Sequence, residues 1–183
     1  MNKAETHKQN LVRTAMRLFR RQGYASTGLQ QILAESGAPK GSLYYYFPDG
    51  KEALGEASVV MAGEMVGDML RELAQRHKSP KRFVRAYCKV MAGWMEESGY
   101  GSGCPIATTI LETAPESPAI TRAGSEAIDS WIEVISGALE NGDLNPREAR
   151  TRAQLIVAAM EGALILARIR QSSRPILDVA NLI

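Results

Sequence analysis

The chain has 183 residues, 45% of them hydrophobic and 23% charged, the balance of a soluble globular protein able to bury a sizeable core as one large domain or a small one joined to a medium one. No apolar run approaches the roughly 20 residues of a membrane span, and the polar opening "MNKAETHKQNLVRTAM" lacks the apolar stretch of a signal peptide, so a cytoplasmic protein is expected. The formal net charge is only +2, but residues 1–51 hold eight Lys or Arg against three acids while the rest holds 14 against 17, which fits either a polyanion-binding head or a merely solvated charged face.

Strand alternation is absent, and proline and glycine clusters separate stretches of 3.6-residue periodicity, so an all-α fold is predicted. Leu11, Ala15, Leu18 and Phe19 form the apolar stripe of a first helix that stops at Gly23. A second, short helix takes Thr27 as N-cap, turns Leu29, Ile32 and Leu33 inward and stops at Gly37. A third runs from about Lys40 to Tyr46 and ends before Pro48. Asp49 is expected to cap a long fourth helix, with Glu52 three residues on in capping-box fashion, and that helix continues to about His77. A fifth, from Ser79-Pro80, carries Phe83, Tyr87, Met91 and Trp94; "ESGYGSG" (97–103) is a loop; a short helix spans Pro105 to about Ala114 before the breaker "PESP" (115–118). Two long helices, about 118–141 and 146–171, flank "NGDLNP", and a short one follows Pro175. The boundary between a head (1–48) and a body (49–183) falls near Pro48; three short helices make a small unit, so the fourth serves both sides.

Within the head, "PKGSLYYYFPDGKEAL" (39–54) places three consecutive tyrosines beside a glycine and two lysines. At about 100° per residue, Leu43 and Phe47 share one edge of the helix. Gly41, Ser42 and Tyr45 lie on the far side, and Tyr44 and Tyr46 flank it. Two short helices joined by "ESGAPK" follow the helix-turn-helix plan, the second being the reader of a DNA major groove about 12 Å wide. A tyrosine offers its hydroxyl to a phosphate and its ring to a thymine methyl. Gly41 allows close approach, Lys40 and Lys51 add positive charge, and the hydroxyl or backbone N–H of Thr27 can meet a phosphate. The competing reading makes the tyrosines half-buried packing residues of a small helical subdomain.

The segment "GYASTGLQQILAESGAPKGSLYYYFPDGKEAL" (23–54) resembles the DNA-binding head of the TetR family of transcriptional repressors, through its glycine-aromatic pair, threonine, "SG", "KGSLYYYF" and "KEAL" in order. The resemblance implies that Lys40, Gly41, Tyr44 and Tyr45 contact bases or nearby phosphates and that Thr27, Tyr46 and Lys51 contact phosphates, with Gln30 and Ser42 as weaker candidates. Pro39 stands where the family often has a serine N-cap, and Tyr45 where it often has histidine, which bears on the operator sequence. Residues 103–144 are similar to the LmrA/YxaF-like branch, which implies control of drug-efflux and detoxification genes and a small apolar or aromatic effector.

The body is accordingly expected to be a helical bundle for ligand binding and dimerisation. Met61, Met65 and Met69 at i, i+4 spacing, with Tyr87, Met91, Trp94, Ile106, Ile110 and Trp131, are either lining for an effector cavity or plain core. The two long C-terminal helices, with Ala158, Ala159, Gly162 and Ala163, are read as the interface of a homodimer or as internal packing. A two-fold dimer sets the reading helices roughly 34–36 Å or somewhat further apart and predicts a palindromic operator. Cys88 and Cys104 lack CxxC spacing, so inert thiols are favoured over a disulfide or a zinc site, with Cys104 a sensing thiol as the other option. No cofactor is expected. His7 and His77 provide no catalytic set, "GYGSG" is not G-x-S-x-G, and "GAPKGS" is not a P-loop, so an enzyme is not expected. A constitutive regulator or activator without a sensor, and an interaction module that has lost DNA binding, complete the alternatives.

Overall fold

The computed structural model describes residues 3–182, which form nine α-helices and a terminal 3-10 turn, with no strand among them. The helices are α1 (Lys3–Gln22), α2 (Leu29–Ser36), α3 (Ser42–Tyr46), α4 (Lys51–Arg76), α5 (Pro80–Glu97), α6 (Pro105–Thr113), α7 (Pro118–Leu139), α8 (Pro146–Arg170) and α9 (Arg174–Asp178), followed by the 3-10 turn Val179–Leu182. The residues group into two compact units, neither of them a single continuous stretch of chain. One gathers the chain up to Glu64 with Pro105–Ala127; the other gathers Met65–Cys104 with the chain from Ile128 onward.

The first unit is built on α1. Leu11, Ala15, Leu18 and Phe19 recur at helical spacing and are all buried, meeting Ile32, Leu43, Phe47 and Leu54 in a single apolar core. Burial of such side chains is worth about 1.5–3 kcal/mol each, which orders helices too short to persist alone. α1 ends where Gly23 takes φ +91°, a conformation open to glycine and strained for other residues. The cap of α2 is displaced by one residue from the expected Thr27. Gly28 is the N-cap, because the Thr27 hydroxyl is turned back to donate to the Gly23 carbonyl at 2.7 Å. Gly37, in the left-handed conformation, ends the helix as expected. The expected capping box at α4 is also replaced: Leu54 N–H bonds the Gly50 carbonyl, and the Glu52 carboxylate accepts from the Ser117 hydroxyl instead of a backbone amide.

In the second unit, α5 turns Phe83, Val84, Tyr87, Cys88, Met91 and Met95 inward, and α8 does the same with Ile156, Val157, Met160 and Leu164. α9 and the 3-10 turn pack on both helices through Ile176 and Val179. α8 starts with a complete capping box: Asn145 accepts from Glu148 N–H at 3.0 Å, the Glu148 carboxylate accepts from Asn145 N–H at 3.3 Å, and Pro146 occupies the first turn. The Ser173 hydroxyl donates to Glu96, fastening the start of α9 to α5.

Candidate nucleic-acid interface

α3 owes its position to two side chains. Leu43 and Phe47, 1% and 4% exposed, sink into the core of the first unit and fix which face of this short helix looks outward. That face carries Tyr44 at 57% and Tyr45 at 79% exposure. Tyr46 is half-buried against the core, with its ring edge-on to Tyr45 at 5.0 Å. Lys40 and Gly41 are exposed just before them. Gly41 has φ −79°, and a Cβ added there would meet nothing within 4 Å, so the fold itself has no need of a glycine at this point. Ser42 is spent locally: its N–H and hydroxyl both donate to the Pro39 carbonyl, at 2.9 and 2.7 Å, closing the turn that replaces a serine cap.

The turn between α1 and α2 forms the second part of the surface. Gln30 is exposed in the first turn of α2, whose leading amides have no carbonyl of their own helix to bond. Thr27 departs from its expectation. It is fully buried, its hydroxyl donates to Gly23 and its N–H to the Tyr24 carbonyl at 3.1 Å, which leaves neither donor free for a phosphate. Lys51 is half-buried; its Nζ donates to the Ala25 carbonyl at 3.2 Å and lies 4.5 Å from the centre of the Tyr24 ring. Burial lowers the pKa of Lys51, and the nearby charge of Glu112 opposes that shift. Glu112, on α6, accepts a 2.6 Å hydrogen bond from Ala25 N–H. Sequence reasoning missed Glu112 and Ala25, since 87 positions separate the two and neither residue type signals the contact.

The candidate lining residues are distributed over both units. Met61, Ile106 and Ile110 belong to the first, where Met61 packs on the head core and the two isoleucines cover Gly124 of α7. Met65, Met69, Tyr87, Met91, Trp94 and Trp131 belong to the second; Tyr87, Met91 and Trp131 are buried, Met69 and Trp94 half-buried and Met65 exposed. Beside Tyr87 lies a small polar cluster inside the second unit. Burial raises the pKa of the Tyr87 phenol and pushes the Cys88 thiol up to about 11. It raises the Glu161 carboxyl as well, against the hydrogen bond that carboxyl accepts from Cys104. Both cysteines are unpaired with each other and buried, and no group of three or more His, Cys, Asp or Glu among the described residues is placed to hold a metal ion. No described helix is long and apolar enough to cross a membrane.

One face of α8 has no cover in the single chain. Leu155 (61% exposed), Ile165 (59%) and Ile169 (74%) recur at helical spacing with exposed Ala158 and Gly162 between them, while Ala163 points into the protein.

Residues 11–57 match the family of bacterial regulatory proteins described as tetR, and residues 80–182 match the C-terminal domain of LmrA/YxaF-like transcriptional regulators. The chain is 32% identical to the HTH-type transcriptional regulator YxaF of Bacillus subtilis over 95% of its length and 91% of that protein's. It is 31% identical to the HTH-type transcriptional regulator LmrA of the same organism, over 96% and 94%. In fold it is similar to a TetR regulatory protein from Rhodobacter sphaeroides, with a TM-score of 0.85, 21% identity and 94% of each chain covered.

Proposed function

Because the chain belongs to the TetR family of bacterial regulators and carries its LmrA/YxaF-like C-terminal domain, we propose that it is a repressor that binds a palindromic operator as a homodimer and releases it when a small apolar or aromatic effector is bound. It is a transcriptional regulator with a DNA-binding head. The observation that carries the finer reading is the outward face of α3. Two phenols are held away from the core by the burial of Leu43 and Phe47, beside a lysine and a glycine. Rings with polar tips suit the mixed apolar and hydrogen-bonding edge of a major groove. The open space at Gly41 serves what docks there, since the fold makes no use of it.

The Lys40 ammonium and the leading amides of α2 meet phosphates, which fix register without reading sequence. A second copy covers the aliphatic face of α8, where exposed Gly162 lets two helices approach closely. The effector acts as a population shift: by favouring the arrangement of heads that no longer fits successive grooves, a coupling of about 1–3 kcal/mol weakens binding roughly 5- to 150-fold. The test is selection of bound fragments from a random duplex pool, repeated with a panel of hydrophobic compounds. A recovered palindrome whose binding weakens with one compound supports the proposal. Absence of salt-dependent duplex binding overturns it.

A further inference from the structure

The α1–α2 turn is held by a residue that no feature of the helix-turn-helix supplies. Ala25 is gripped at both of its backbone groups. Its N–H donates to Glu112 Oε2 at 2.6 Å and its carbonyl accepts from Lys51 Nζ at 3.2 Å. Gly23 admits this arrangement twice over. Its φ of +91° suits glycine, and a Cβ there would run into Glu112 Oε1. The ring of Tyr24 closes the space between them, stacked under the Lys51 ammonium and in contact distance of Gly55, where a Cβ would lie 2.9 Å from Tyr24 Cε2 and 2.8 Å from Ile120 Cδ1. The Ser117–Glu52 hydrogen bond ties the start of α7 to the first turn of α4 in the same way. Glu112 therefore comes from the stretch matching the C-terminal domain, yet packs in one compact unit with the head.

The geometry points to Glu112 as a positioning residue for DNA binding: its carboxylate holds the turn that sets the leading end of α2 where a phosphate meets it. The inference rests on the proposal that this head binds duplex DNA. A hydrogen bond to an ionised carboxylate is stronger than one between neutral groups, and here it adds to the Thr27 and Lys51 hydrogen bonds that already hold the turn. The electrostatic effect of the same charge has the opposite sign. A carboxylate near a DNA-binding surface repels phosphate, so if Glu112 were only a surface charge, its removal would strengthen binding.

Two variants separate reach from charge. Glu112→Asp keeps the charge and shortens the side chain by a methylene; Glu112→Gln keeps an acceptor at full reach and drops the charge. The probe is the duplex recovered from a random pool by the wild-type protein, read by fluorescence anisotropy, with dimerisation and thermal melting as controls on folding. Glu112→Asp is expected to bind about 10- to 100-fold more weakly, the worth of a lost charged hydrogen bond, and Glu112→Gln to fall between it and wild type. Equal or tighter binding by Glu112→Asp overturns the role, while failure of the wild type to bind any duplex overturns the regulator reading on which it rests. Hydrogen exchange on the wild type gives an independent reading: the Ala25 amide is expected to be protected relative to Ser26, and equal exchange overturns the clasp even if a variant fails to fold.

Discussion

Two of the surfaces on which the protein exposes apolar side chains, those of α3 and α8, differ in kind. On α3 the exposed groups are phenols, each ending in a hydroxyl, on a five-residue helix preceded by a lysine. On α8 they are aliphatic, Leu155, Ile165 and Ile169, spread along a 25-residue helix with alanine and glycine between them. A surface that must meet a hydrated polyanion and let go again needs polar tips and charge. A surface that meets another protein lastingly does better with branched hydrocarbon and small residues that allow close approach. The difference shows that exposure alone does not identify a partner; the chemistry of what is exposed does.

The comparison breaks most sharply at Gly162. Gly162→Glu places a bulky charge in the aliphatic face and is expected to give monomers by sedimentation, with operator affinity down more than about 100-fold because two half-sites are no longer bound together. A persistent dimer would move the interface elsewhere. Tyr44→Ala leaves the dimer intact and costs operator affinity roughly 5- to 150-fold, the worth of one good base-edge contact; unchanged affinity in a gel-shift titration would remove the α3 face from the reading surface. Lys40→Ala acts uniformly across sequences, weakening binding a few-fold and reducing the salt slope by about one unit. An altered sequence preference would make Lys40 a base reader instead.

The smallest effect is expected at Glu161, beside the aliphatic face. Burial raises its folded pKa above the ordinary 4.5, so the folded protein is favoured when this carboxyl is protonated and loses that advantage as pH rises through the folded value. Glu161→Gln should thus stabilise the protein at pH 7, with the gain shrinking to nothing below 4.5 and operator affinity unaffected. Melting curves at the two pH values check it; an equal gain at both would assign the effect to packing.

Most of the helical framework was legible because apolar periodicity and glycine stops are local signals. The stripes of α1 and α5, the stops at Gly23 and Gly37 and the orientation of Leu43 and Phe47 follow from spacing alone. The caps were less so. Thr27 and Gly28 are neighbours of comparable capping ability, and which one caps α2 depends on the Gly23 carbonyl that the Thr27 hydroxyl finds. Local spacing makes Glu52 the partner in a capping box, but Ser117, 65 residues away, takes its carboxylate. Glu112 carried no signal at all, being one acid among 20 whose partner is a backbone amide. Local rules find elements; polar contacts between distant segments stay invisible to them.

The grouping of Pro105–Ala127 with the chain up to Glu64 bears on how such proteins exchange parts. A hybrid that joins residues 1–48 of this chain to the remainder of a relative would deprive the head of its own Leu54, Met61 and Glu112 and set it against foreign side chains. A transplant that also carries 49–64 and 105–127 brings the matching surfaces along. Recombination between family members, in the laboratory or in a genome, is thus expected to succeed by inheriting two separated stretches together, since the inheritable piece is discontinuous in the gene.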